Sequence, residues 1–286
     1  MSKPAGIDLG AGDAALAVLA VRGPDAARFL QGQLSAEIEK LEVGKSTIAG
    51  LHNPQGRVIA VIALARPAPE ELFAVLPAEL AADVITRLRK YILRAKLRIE
   101  DLSATTRIMG CSNPPADVLA SIEWGGRWIA LTDASGDPAA AGEFDRATWE
   151  AQDVQAGIPQ VYIATRETFV SQMLNLDLLG AISFDKGCYT GQEVIARAHY
   201  RGRVKRRMQR WRGAGDALLR PGDAARGPDG RALVVVRAAS SPSGGQEVLA
   251  VGNYSAAIDE APASSGEDAT VPRLEGPLPL PYSLPE

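Results

Sequence analysis

The chain has 286 residues, 46% hydrophobic and 23% charged, a balance that suits a packed globular protein and excludes collagen-like, coiled-coil and wholly disordered organisation. At roughly 150 residues per domain, about two domains are expected. Lys+Arg 31 against Asp+Glu 34 gives a net charge of −3, which by itself names neither a nucleic acid nor a membrane as partner. Cys111, Cys188, His52 and His199 lack zinc-knuckle spacing, so no metal site is expected. The amino terminus does not read as a leader, and the most apolar run, Val58 to Ala65, is far below the roughly 18 residues that span a bilayer. A cytoplasmic monomer without membrane contact is the expectation.

In chain order, Ala15 to Val21 reads as a buried strand closed by Gly23-Pro24. Asp25 can cap a following helix, on which Phe29, Leu30, Leu34, Ile38 and Leu41 recur at helical spacing. Thr47 to Leu51 and Arg57 to Leu64 flank the turn formers of His52-Asn53-Pro54-Gln55-Gly56, and Glu71 to Leu76 adds a strand. Pro77 opens a helix with Leu80, Val84, Leu88 and Tyr91 on one face and a strongly basic exit. Strands are expected near 97–102, 107–111 and 126–132, and helices over Phe144 to Gln155 and Thr168 to Leu179. Arg203 to Arg212, Ala232 to Ala238 and Glu247 to Ser255 then read as strands of a small β module. Residues 261–286, with six prolines, read by themselves as a tail. The mixed order predicts an α+β protein.

Charge is concentrated at 186–212. Lys186, Arg197, Arg201, Arg203, Lys205, Arg206, Arg207, Arg210 and Arg212 stand against Glu193 alone, a local balance of +8. Such a stripe can hold phosphates, the carboxylates of a ligand or RNA, or be two solvated strand faces; the six basic residues of 87–98 enlarge it if folding brings them together. Within the stripe lies Lys186-Gly187-Cys188-Tyr189-Thr190-Gly191-Gln192-Glu193. Its glycines permit a tight course that presents Cys188, and Lys186 and Arg197 would favour the thiolate; the alternative is an inert structural thiol. Trp149 shares its helix with Arg146, Glu150 and Asp153, which places a flat aromatic surface at a polar boundary.

The run KGCYTGQE resembles the signature of the YgfZ-type folate-binding proteins, and the resemblance extends over nearly the whole chain. Val21-Arg22-Gly23-Pro24-Asp25 with Phe29 to Gln33 is similar to that family's amino-terminal segment, and Asn53 to Arg57 to its hairpin. Leu176 to Phe184 and Pro279 to Leu284 match as well, which turns the proline-rich end into an expected return strand. The family is related to the glycine-cleavage aminomethyltransferases, which implies a folate-binding ring of subdomains over 1–204 and a carboxy-terminal β-barrel over 205–286. It implies tetrahydrofolate or a one-carbon derivative as ligand, with Trp149 and Arg197 as contacts and Cys188 as the functional thiol. Leu16 stands where a second folate-contacting tryptophan would align, and Ser171 where the family commonly has proline.

Three functions remain open. The first is an accessory protein supporting assembly or repair of iron–sulfur clusters in client enzymes, including tRNA-modifying ones, with those enzymes or assembly factors as partners. The second is a one-carbon transferase. Against it, Val58-Ile59-Ala60-Val61 holds no carboxylate where the aminomethyltransferases carry an acidic pair. The third is a tRNA-binding module using 186–212. Two thiols are too few to hold a cluster in the usual four-cysteine manner, so any cluster would be shared or transient.

Overall fold

The computed structural model describes residues 7–12, 15–113, 116–134, 145–202, 204–214, 218–241, 243–254 and 271–285. After β1 (Ile7–Asp8), β2 (Leu16–Arg22) leads into α1 (Ala26–Gln31) and the meander β3 (Ser46–His52), β4 (Val58–Ala68) and β5 (Glu71–Pro77). Helix α2 (Ala78–Arg89) and β6 (Arg98–Asp101) complete a five-stranded antiparallel sheet ordered β3-β4-β5-β2-β6. Strands β7 (Thr106–Cys111), β8 (Ala120–Trp124) and β9 (Arg127–Asp133) join β1 in a second sheet, β1-β7-β9-β8, followed by α3 (Arg146–Gln155). Helix α4 (Gln192–Tyr200) precedes the third sheet, built from β10 (Arg206–Gly213), β11 (Ala224–Arg226), β12 (Ala232–Ser240), β13 (Gln246–Asn253) and β14 (Leu274–Leu278). That sheet curls until Arg226 meets Arg273 through a single parallel bridge, a barrel closed at one point.

The first sheet is buried on both faces, which is why β2 and β4 read as unbroken apolar runs rather than alternating ones. Ala17, Leu19 and Val21 face α1, α2 and the barrel's outer wall, whereas Val18 and Ala20 face Ile108, Ile122, Ile129 and Leu131 of the second sheet. Trp211, Leu233, Val235, Val248 and Ala250 fill the barrel itself. The result is the expected α+β architecture of packed subdomains with a carboxy-terminal barrel.

Several sequence expectations need correction. The helix expected from Asp25 to Leu41 ends at Gln31, because the Gln31 side chain turns to accept from Ile38 N at 2.7 Å and donate to Glu37 at 2.7 Å. Leu34 and Ile38 are fully buried, yet from a loop, and the Asp25 carboxylate accepts from Lys96 N instead of capping α1. Thr168 to Leu179 forms only a 3-10 turn, Ser171–Leu174, stopped where Asn175 takes φ 57° and donates to Met208 O. Tyr91 lies past the end of α2 and is exposed. Strands β8 and β11, short and weakly patterned, are additions. The proline-rich end supplies β14 and then a strap, where the Tyr282 hydroxyl donates to Gly157 O at 2.8 Å. Phe144, Ser255 and 261–270 lie outside the described residues.

A buried ion cluster joins the parts. The Asp153 carboxylate on α3 accepts from Arg127 of β9 at 2.5 Å and from Trp124 Nε1 of β8 at 2.9 Å, and pairs with Arg237 of β12 at 2.6 Å. All three charged residues are buried. Removing one partner of a buried pair strands the other charge, a loss of about 3–5 kcal/mol. Asp153→Ala leaves two guanidiniums unpaired and is expected to lose at least that much in urea unfolding. Asp153→Asn, which retains an acceptor, should lose less; equal stability of Asp153→Ala and the parent would refute the account.

Candidate functional site

The ion cluster borders a narrow cleft where the three sheets meet. Leu16, Ala63 and Val75 of the first sheet and Ile129 of the second make its apolar wall. Its polar side comes from Arg146, Glu150 and Asp153 of α3, Gln160, Tyr162 and Arg237. Burial raises the pKa of Glu150, opposed by Arg237 and Arg146. The cleft therefore sets an apolar wall against a cluster of convergent polar and charged groups.

Trp149 lines this cavity and is only 2% exposed. Its ring lies so close over Gly110 that a Cβ there would come within 2.7 Å, and the Arg127 guanidinium sits 3.9 Å from its centroid. The indole is therefore a braced wall, with little face left for stacking. Leu16 lines the same cavity, and Arg197 does not. Glu150 and Asp153 carried a signal in sequence, being polar neighbours of Trp149 on one helix. Arg237 carried another, as a lone charge in the apolar strand Ala232 to Ala239. A bulge between Val235 and Arg237 turns that side chain out of the barrel.

The KGCYTGQE segment forms a second feature, a turn leading into α4. Gly191 takes φ 84°, and a Cβ there would lie 2.6 Å from Asn53 O, so only glycine lets the turn sit on the 52–57 hairpin. Lys186 is buried and donates to Leu34 O at 2.8 Å and Ala36 O at 2.5 Å. Burial lowers its pKa to about 8, against the opposing pull of Glu37 and Glu39. Its cation therefore ties the turn to the first subdomain. Tyr189 is also buried, which pushes its phenol up to about 12. Gln192 Oε1 accepts from Tyr189 N at 3.2 Å. Gly187 and Cys188 remain exposed at the tip, with Thr190 half-buried and Glu193 exposed. Arg197 pairs with Glu193 at 3.2 Å, so neither expected cation is committed to the thiol. Cys111 is buried, and burial raises its pKa to about 11.

The basic stripe of 186–212 is divided by the fold. Lys186 is internal, Arg207 forms a buried bidentate pair with Asp177 at 2.9 and 2.8 Å, and Arg210 pairs with Glu247. The segment is a helix followed by a strand rather than one basic strand, and His199 stacks on Phe184 from α4 with ring centroids 3.8 Å apart. Arg203 lies outside the described residues.

Beneath the hairpin, His52 is fully buried with Nε2 2.5 Å from Ser171 Oγ, so both side chains have a partner. Burial lowers the His52 pKa to about 3. The unfolded chain, with an ordinary histidine pKa of about 6.5, takes up the proton first as pH falls. Stability is thus lost from about pH 6.5 down towards 3, by up to about 1.4 kcal/mol per pH unit. His52→Gln should flatten this acid limb in urea unfolding between pH 7 and 4.5; parallel limbs would disprove the assignment.

No protein-family model matches the chain. An uncharacterized protein of Haemophilus influenzae is 32% identical, over 67% of this chain and 69% of its own length. The tRNA-modifying protein YgfZ of Edwardsiella ictaluri is 31% identical over 69% of each chain, and that of Klebsiella pneumoniae 29% identical over 94% of this chain and 91% of its own. Among solved structures, the glycine cleavage system aminomethyltransferase T of Bartonella henselae superposes with a TM-score of 0.67, covering 88% of this chain and 79% of its own at 15% identity. The fold is thus that of the aminomethyltransferases, and the chain belongs to the family of the tRNA-modifying protein YgfZ.

Proposed function

We propose that the chain is a tetrahydrofolate-binding accessory protein of tRNA modification. In this reading it supports assembly or repair of iron–sulfur clusters in client enzymes, including those that modify tRNA. The observation that carries the reading is the chemistry of the central cavity, in a fold shared with a folate-dependent class of enzymes and a family named for tRNA modification.

The cavity residues fit a reduced folate. A pterin presents an N–H and an amino group side by side, a pattern that a carboxylate accepts in bidentate fashion; Asp153 is held by two arginines, whereas Glu150 has only a loose pair with Arg146 at 3.8 Å and would be the accepting carboxylate. Leu16, Val75 and the braced Trp149 would confine the ring, and Arg146 and Arg237 would supply positive potential. A bound folate supplies one-carbon carrying capacity. The lining crosses from the expected folate-binding region of 1–204 to the barrel of 205–286 through Arg237, so the ligand would also hold the two together. Val58, Ile59, Ala60 and Val61 are buried in β4 and offer no carboxylate for aminomethyl transfer, which favours a binding role. Cys188 would be the thiol that meets a client, cluster or assembly factor.

Calorimetry with tetrahydrofolate and its triglutamate should detect binding, with Glu150→Gln weakening it by about tenfold, the equivalent of about 1.4 kcal/mol, at unchanged melting temperature. Absence of binding in the parent would overturn the ligand assignment. Because Cys188 is exposed, Cys188→Ala should melt like the parent yet fail to restore iron–sulfur enzyme activity in cells lacking the protein. Full restoration would show the thiol to be dispensable.

A further inference from the structure

Residues 87–98, the end of α2 and its connection to β6, hold Arg87, Arg89, Lys90, Arg94, Lys96 and Arg98 and no acidic residue. These are six of the chain's 31 basic residues, leaving 25 against 34 acidic ones elsewhere, a balance of −9. The connection is thus a dense local run of positive charge on a protein that is acidic as a whole, alongside the +8 of 186–212. We propose that this connection is a docking surface for the phosphodiester backbone of a structured RNA, tRNA in the setting of the proposed function, on which this inference rests.

The surface is preformed. Ile92 and Leu97 pack against the main core, Arg89 donates to Ile99 O at 3.0 Å, and Ala95 N bonds Ile92 O at 2.7 Å. These contacts turn the remaining side chains outward. Tyr91 is 44% exposed, and Leu93, at φ 43°, is 89% exposed. Nearby carboxylates are spoken for: Glu100 pairs with Arg22 and Arg98, and Asp25 accepts from the Lys96 backbone. Arg87, Lys90, Arg94 and Lys96 have no ion-pair partner among the described residues.

Stabilisation of a helix carboxy terminus explains basic residues in the last turn of α2, but not Arg94 and Lys96 beyond it. A lipid surface would ask for an amphipathic apolar face, and this connection exposes one aliphatic side chain beside one tyrosine. Cations around an exposed aromatic ring match phosphates with a base or ribose to pack against. The 186–212 segment spends Lys186, Arg207 and Arg210 on internal partners and Arg197 on Glu193, while Arg201, Lys205, Arg206 and Arg212 have no ion-pair partner among the described residues, so the control variant below tests that rival surface.

The test is fluorescence anisotropy of the whole chain with unfractionated tRNA, at salt from about 50 to 200 mM. The triple variant Lys90→Gln, Arg94→Gln, Lys96→Gln should bind at least about tenfold more weakly, and its log–log salt slope should fall by about two to three. The control Arg201→Gln, Lys205→Gln should stay within about twofold of the parent, since its cations lie outside the proposed surface. Parent-like binding by the triple variant, a loss confined to the control, or no tRNA binding by the parent would overturn the proposal. Selective binding to phosphatidylserine–phosphatidylcholine vesicles in place of tRNA would overturn it too. Tetrahydrofolate titration of the parent separates the two readings: folate binding without tRNA binding rejects the docking surface alone, and tRNA binding without folate binding rejects the ligand assignment alone.

Discussion

Asp153 is where the parts of the molecule are forced to agree. Its carboxylate receives a guanidinium and an indole N–H from the second sheet and a second guanidinium from the barrel, all in a buried setting. Buried charges are tolerated only when geometry and hydrogen bonding compensate desolvation, so α3 has little freedom to slide or rotate. Trp149 and Glu150, one turn earlier on the same helix, inherit that restriction. The cavity wall is therefore positioned by electrostatics, whereas hydrophobic packing of equal area would tolerate small shifts of register. One carboxylate and two guanidiniums leave an excess of one positive charge beside the cavity, which Glu150 can offset.

The motif turn obeys a different constraint, close approach of backbones. Gly191 against Asn53 and Gly56 against Val194 leave no room for side chains, and Lys186 fastens the other end of the turn to carbonyls of the α1–β3 loop. An exposed cysteine held at both flanks by buried groups has a fixed direction of approach. Such fixity matters little for a surface residue with no task, and much for a thiol that must meet another protein.

Much of the fold was legible because both-face burial leaves continuous apolar strands and because the Pro77 helix has a clear periodicity. What failed has physical causes. Leu34 and Ile38 keep helical spacing while buried from a loop, since Gln31 satisfies the backbone there in place of a helical ladder. Helix α4 is short and closely followed by the basic strand β10, so its nine residues read with that strand, and the left-handed Gly191 marks its start. At the site, Trp149 and Glu150 could be found as neighbours, but Arg237 arrives from 84 positions beyond Asp153 through a bulge that local pattern does not encode. Summed charge misled as well. A count of +8 over 186–212 does not distinguish Arg207, buried on Asp177, from a cation facing solvent.

The cavity and the thiol turn are built on one strand. β4 begins at Val58, directly after the hairpin on which Gly191 sits, and reaches the cavity wall at Ala63, about 17 Å further at the usual rise of a strand. From Val58 to Ala65 every side chain is buried, and close-packed interiors shift between discrete arrangements more readily than they deform. The cavity wall and the base of the motif turn are thus held by one fully buried strand, so neither can be repositioned independently of the core.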